Sequence, residues 1–247
     1  MKLTIIGCGD AFGSGGRSNT CFLLETNKAT VAIDFGASAP PALKARGVDP
    51  NRLDAVILSH LHGDHFGGLP FLLLDSQFLA RRDKPLLIAG PPGTRARLDG
   101  ALEVFFPKST GSKWRFPWHV VEVALDTATD ILGHSLVTTE VIHQSGAPST
   151  ALRLTDGEKI FAYSGDTEWT EALLPIARQA DLFICECYAH AGKLTGHMSW
   201  DILQTKIPAL AAKRLMLTHM NPSMLARLDQ IRAAGVLIAE DGLLLEF

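Results

Sequence analysis

The densest chemistry in the sequence lies in one heptapeptide, Ser59-His60-Leu61-His62-Gly63-Asp64-His65. Imidazole supplies borderline nitrogen ligands and carboxylate a hard oxygen, a mixture that suits zinc, manganese or iron. A polar loop with surface histidines is the plain alternative. With 9 histidines in 247 residues, the spacing His-x-His-x-Asp-His arises by chance in roughly one chain per thousand, which favours the metal. Two metals would need donors from elsewhere, and three candidates stand out: His143, Asp166 in Tyr163-Ser164-Gly165-Asp166-Thr167, and His219. Singly, a strand-end His or a Gly-Asp turn is ordinary. Their recurrence at the C-terminal ends of expected strands makes them candidates as a group.

A strand end is a rigid platform, and a tight loop after it can aim several side chains at one point. The pattern of β-rich or apolar runs bounded by Gly, Asn or Asp predicts strands at Lys2–Ile6, Thr20–Glu25, Thr30–Asp34 and Ala55–Ser59. Helical patterns alternate with them at Ala39–Arg46, Gly68–Arg81 and Gly93–Phe105. His119–Tyr163 reads as antiparallel strands, with Ser135–Ile142 leading into His143 and a hairpin around Asp156-Gly157. Then follow a helix at Glu168–Gln179, a strand at Leu182–Cys187 and a helix at Ser199–Leu210. A strand at Arg214–Thr218, a helix at Ser223–Ala234 and a C-terminal strand complete the order. No linker or low-complexity tract divides the chain, which predicts one α/β domain over residues 1–247. Two packed sheets with helices outside both, a four-layer αββα sandwich, would bury these faces. Periodicity alone does not select it over a three-layer fold.

The motifs select it. The His60, His62, Asp64, His65 motif, with His143, Asp166 and His219, resembles the metallo-β-lactamase-fold hydrolase superfamily from the Gly7-Cys8-Gly9-Asp10 turn onward. The resemblance implies the αββα sandwich and two divalent metal ions at one edge: zinc, with manganese or iron as alternatives. It assigns His60, His62 and His143 to one metal and Asp64, His65 and His219 to the other, with Asp166 bridging and Asp64 counted among the catalytic residues. A water between two such ions can ionise near neutrality, its pKa falling from about 15.7 to about 7 on a single zinc. Within the superfamily the chain looks closest to ribonuclease Z and related phosphodiesterases. Its opening strand and glycine turn, Ala180–Glu186, and Gly196-His197-Met198-Ser199 are similar to that branch's signatures. By that likeness His197 protonates the leaving oxygen and Glu186 orients it, which suits a poorly leaving alkoxide.

The departures narrow the substrate. Ribonuclease Z inserts a long basic arm between its third and fourth metal motifs, whereas here Gln144–Gly165 contains only Arg153 and Lys159 as basic residues. With a net charge of −3, this argues against a long nucleic acid and for a small-molecule ester. The expected function is therefore a phosphodiesterase acting on a small phosphodiester or nucleotide. Hydrolysis of a lactone, thioester or aryl sulfate, or tRNA 3′-end cleavage, stands as the alternative. An oxidoreductase with iron in the same fold would leave His197 without a job, and a β-lactamase would carry Cys at the position of Asp166. No run of 18 apolar residues would span a membrane. Four cysteines make no disulfide framework, and no secretory leader is evident, so a soluble cytoplasmic protein is expected. Two segments stay open: the Gly13–Asn19 loop, a phosphate cradle or a plain turn, and Pro107–His119, a base-stacking lid or a set of aromatic anchors. Cys185 and Cys187 read as buried thiols. Phe71–Leu74 reads as core, on a helix that forms a homodimer in the resembled branch.

Overall fold

The computed structural model describes residues 1–247. Its first half runs β1 (Lys2–Gly7), β2 (Cys21–Glu25), β3 (Thr30–Ile33), α1 (Ala39–Ala45), β4 (Ala55–Ile57), α2 (Gly63–Phe66), α3 (Leu69–Phe78), β5 (Leu86–Gly90), α4 (Thr94–Phe105) and β6 (Trp118–Glu122). Then come β7 (Thr129–Ile131), β8 (His134–Glu140), β9 (Thr150–Thr155), β10 (Ile160–Tyr163), α5 (Leu173–Ala177), β11 (Leu182–Glu186), α6 (Trp200–Leu210) and β12 (Leu215–Thr218). The chain closes with α7 (Pro222–Leu225), α8 (Leu228–Ala233), β13 (Leu237–Ile238) and β14 (Leu244–Glu246).

Two seven-stranded sheets result, ordered β14-β1-β2-β3-β4-β5-β6 and β13-β12-β11-β10-β9-β8-β7. In each, antiparallel hairpins give way to parallel strands joined through helices. Strand alternation sorts the apolar residues into separate layers. Leu3, Phe22, Val31, Ile57, Phe161, Leu182 and Met216 face the space between the sheets. Their neighbours Leu23, Ala32, Val56 and Ile88 face α1, α3 and α4, while Ala162, Phe183, Cys185 and Leu217 face α5, α6 and α8. Three apolar layers between four structural layers make the αββα sandwich of the metallo-β-lactamase fold. No helix is long and apolar enough to cross a membrane.

Several elements differ from the sequence reading. The strand Leu86–Gly90 falls between two expected helices and is not foreseen; its fully buried run lacks the alternation that marks a half-exposed strand. Residues from Trp118 do not open an antiparallel series: β6 pairs parallel with β5 across the α4 crossover and belongs to the first sheet. The expected helix Glu168–Gln179 shrinks to Leu173–Ala177, because Pro175 is tolerated only in a first turn. The expected helix Ser223–Ala234 breaks at Arg227, where φ is −130° and ψ 19°. The C-terminal strand is two strands on opposite sheets.

Candidate metal centre

The site forms where the parallel strands of both sheets end on one edge. Beyond β4, Ser59 and His60 continue the chain into α2, a single turn that carries Asp64 and His65, with His62 at its N-cap. His65 and Phe66 each donate their backbone N–H to the carbonyl of His62, at 3.0 Å, so the turn is closed by the motif itself. Gly36 lets this turn approach: a Cβ there would lie 2.1 Å from the Asp64 carbonyl oxygen. From the other sheet, His143 follows β8, Asp166 follows β10, Glu186 ends β11 and His219 follows β12. The register that pairs Glu186 with Thr218 sets Glu186 beside the strand end carrying His219. His219 is held at φ +59°, a region uncommon outside glycine that histidine enters more readily than most residues. Its N–H donates to the Cys8 carbonyl at 3.1 Å.

All seven expected ligands converge. Donor atoms of His60, His62 and His143 lie within 4.8 Å of one another, and so do those of Asp64, His65, Asp166 and His219. One oxygen, Asp166 Oδ2, reaches toward both groups: it is 3.2 Å from His219 Nε2, 3.3 Å from His65 Nε2, 3.9 Å from His60 Nε2 and 4.0 Å from His143 Nε2. Asp64 Oδ2 lies 3.2 Å from His65 Nε2 and 4.0 Å from His219 Nε2.

The surrounding hydrogen bonds decide which atoms are free to ligate. His65 Nδ1 donates to Asp34 Oδ2 at 2.7 Å. Ser59 Oγ donates to the same Asp34 oxygen at 2.7 Å and so accepts from His60 Nδ1 at 3.0 Å. His143 Nδ1 donates to the Gly196 carbonyl at 2.7 Å. Each bond fixes a tautomer that leaves an Nε2 lone pair facing the centre. His60 Nε2 and Asp166 Oδ1 are buried with no hydrogen-bond partner, His65 Nε2 faces only the Asp64 and Asp166 carboxylates, and His143 Nε2 faces His62 Nδ1 at 3.0 Å. Buried donors and acceptors are rarely left so. The donor set fits divalent metal.

The electrostatics agree. Burial pushes His60, His143 and His219 below the usual histidine range, toward the neutral form that ligates. Burial opposes the charge on Asp166 and Asp64, but His219 and His65 hold Asp166 low and His65 holds Asp64 low. His65 is also buried, yet Asp166, Asp64 and Asp34 lift it well above its ordinary value. Three carboxylates around one imidazole create a demand for positive charge that a cation answers.

Beside this cluster sits the expected acid pair. His197 Nδ1 donates to Glu186 Oε1 at 3.0 Å, and a ring nitrogen of His197 lies within 4.8 Å of donor atoms of His143 and Asp166. Glu186 is fully buried and also accepts from the backbone N–H of Thr167 at 2.7 Å and of Met198 at 3.2 Å. Burial disfavours the imidazolium, but the hydrogen bond and charge of Glu186 outweigh it and raise His197 to about 9. Burial also lifts Glu186 to about 7, against the pull of His197. Tyr188 stacks on His197 with ring centres 4.8 Å apart.

The sequence reading missed Asp34, Ser59 and Tyr188. Asp34 carried a usable signal, because it too ends a strand beside β4. The two open segments resolve toward their structural readings. In the Gly13–Asn19 loop, Asp10 accepts from Phe12 N, Ser14 N and Ser14 Oγ, while Ser18 N donates to Asp241 and Arg17 to the Ala239 carbonyl. Few of its donors remain for a phosphate. In Pro107–His119, Phe116 is buried, Trp114 packs edge-on against Phe116 and Trp118, and Arg95 lies over Trp118. These are anchors to α3 and α4. Cys185 and Cys187 are buried thiols, as expected.

The sequence and the fold have known counterparts. A family model described as anti-Pycsar protein Apyc1 matches residues 1–240. The probable metallo-hydrolase YhfI of Bacillus subtilis is 27% identical over 226 residues, covering 89% of this chain and 87% of that protein. The anti-Pycsar protein Apyc1 of Bacillus phage 010DV004 is 28% identical, covering 91% and 90%. Ribonuclease Z of Geobacillus kaustophilus is 26% identical, covering 90% and 88%. Among solved structures, YhfI superposes with a TM-score of 0.80 at 24% identity over 99% of both chains. A diphosphatase of the PhnP family superposes at 0.77 and 20% identity, over 100% and 97%.

Proposed function

Because the chain belongs to the family of the anti-Pycsar protein Apyc1 and is a metal-dependent hydrolase of the metallo-β-lactamase fold, we propose that it cleaves a small phosphodiester or nucleotide at a two-metal centre. His60, His62 and His143 would hold one ion, Asp64, His65 and His219 the other, and Asp166 both; zinc suits this mixture of imidazole and carboxylate. When bound, the ions supply an ionised water at neutral pH and offset charge developing on the phosphoryl group. Asp34 and Ser59 keep His60 and His65 in the ligating tautomer. His197, protonated through Glu186, gives its proton to the departing alkoxide, and Tyr188 keeps its ring in plane.

The observation that carries the phosphodiester reading is the His197–Glu186 pair beside the cluster, since an alkoxide leaves poorly without a proton. The size of the substrate is inferred from the segment between His143 and Asp166, which folds as the β9–β10 hairpin with no arm to grasp tRNA. Within the run expected as core, Leu72 and Leu73 are buried but Phe71 is exposed, and with exposed Phe78, Val104 and Phe105 on α3 and α4 it supports a homodimer through that face. A panel of bis-p-nitrophenyl phosphate, cyclic nucleotides, lactones, thioesters and aryl sulfates tests the proposal. Metal-dependent turnover of the phosphodiesters above all others is expected. Faster turnover of a lactone, thioester or aryl sulfate would overturn it.

A further inference from the structure

Asp166-Thr167-Glu168 touches a different functional group with each residue. Asp166 faces the metal donors. Thr167 gives its N–H to Glu186 Oε1 at 2.7 Å, and its Oγ1 accepts the N–H of Ile142 at 3.1 Å. Glu168 is no ligand candidate, yet it is tied twice to the site. Its N–H donates to the carbonyl of Ile142, the neighbour of His143, at 3.1 Å. Its Oε1 accepts the N–H of Gly196 at 2.9 Å. Gly196 then accepts from His143 Nδ1 at 2.7 Å and leads directly into His197.

Gly196 has no slack in this position. Its φ is +78°, and a Cβ there would sit 2.9 Å from His143 Nδ1. The loop before it, with exposed Gly192, Lys193 and Thr195, is tied by Gly192 N–H to Asp201 Oδ2 at 3.1 Å and by His197 N–H to the Leu194 carbonyl at 3.4 Å, neither of which holds the Gly196 peptide groups themselves. The carboxylate of Glu168 is thus the anchor that sets the Gly196 carbonyl against one imidazole and sends the chain on to another. We propose that Glu168 is a positioning residue of the metal centre, which through Gly196 fixes the tautomer and direction of His143 and the placement of His197. The inference rests on the metal-centre reading of His143 and not on the identity of the substrate.

The test compares the zinc-loaded wild type with Glu168→Ala and Glu168→Gln. Zinc affinity is read by competition with a chromophoric chelator. Rate is read on an alkyl and a p-nitrophenyl phosphodiester. Groups behind metal ligands cost roughly 10–100-fold in affinity or activity when removed. For Glu168→Ala we expect about a tenfold loss of affinity for one of two zinc equivalents and a rate loss larger on the alkyl ester. Glu168→Gln keeps an acceptor oxygen and should stay within about twofold of wild type on both readouts. If truncation unfolds the protein, Glu168→Met fills the space without an acceptor and should show the Ala losses. Unchanged zinc affinity in Glu168→Ala overturns the proposal. So does a Glu168→Gln protein as impaired as Glu168→Ala, which would mean that charge and not the hydrogen bond matters. Should no phosphodiester be turned over, the zinc competition still decides, and only the substrate reading falls.

Discussion

Replacing Glu186 by Gln removes a charge while keeping the shape, and its effect can be worked from the geometry. Glu186 Oε1 serves two donors, Thr167 N and His197 Nδ1, and Oε2 serves one, Met198 N. A Gln amide will turn its oxygen to the two donors, so the imidazole keeps a partner without its negative charge, while the NH2 group faces Met198 N and that one bond is lost. His197 then falls from about 9 to the ordinary histidine value of about 6.5 or lower, since burial opposes its charge. The sign follows: a raised histidine keeps its proton until pH climbs through the raised value, so the variant loses the acid form at lower pH. At pH 7.5 the protonated fraction drops from roughly 97% to roughly 9%, about tenfold, and at pH 5.5 the two proteins differ by roughly a tenth. The assay is a pH–rate profile from 5.5 to 9 on an alkyl and a p-nitrophenyl phosphodiester, with metal content measured alongside. On the alkyl ester the wild-type advantage should grow with pH to about tenfold at pH 7.5; on the p-nitrophenyl ester it should stay near one. An advantage independent of pH, or equal on both leaving groups, would refute the acid role of His197.

His197→Ala should keep its metals and lose on the order of 10²–10⁴-fold on the alkyl ester, with a much smaller loss on p-nitrophenyl; loss of metal instead would make His197 structural. Asp34→Ala strands three buried donors now held at 2.7 Å, namely Ser59 N, Ser59 Oγ and His65 Nδ1. At about 1–3 kcal/mol for each orphaned group, urea unfolding of the metal-free protein should show a loss of roughly 3–9 kcal/mol, and a loss below about 1 kcal/mol would contradict the network. Asp166→Ala should disturb both metals and His219→Ala chiefly one; a full metal complement in Asp166→Ala would remove the bridge.

What was legible in the sequence followed from short-range chemistry. The His60–His65 stretch packs four donors into six residues, so its spacing announces the site without any tertiary information. His143, Asp166 and His219 were readable only as a set, because each marks a strand end and strand ends meet at one edge of this fold. The resemblance then placed Glu186 and His197, which spacing could not pair across the 10 residues between them. Asp34 and Glu168 were not found. Their roles depend on partners 25 and 28 residues away, and a carboxylate at a strand end or in a turn has many ordinary uses. In the fold, the fully buried β5 hid among apolar runs, and Pro175 shortened a helix whose periodicity had looked continuous.

Titration of metal-free protein with zinc decides whether a two-metal centre in this protein hydrolyses a phosphodiester. Bound zinc and turnover of bis-p-nitrophenyl phosphate are followed together as equivalents are added. Binding should saturate at two zinc ions per chain, with most of the activity arriving with the second. Saturation of binding and activity at one ion, or no phosphodiester turnover at two, would contradict a two-metal phosphodiesterase.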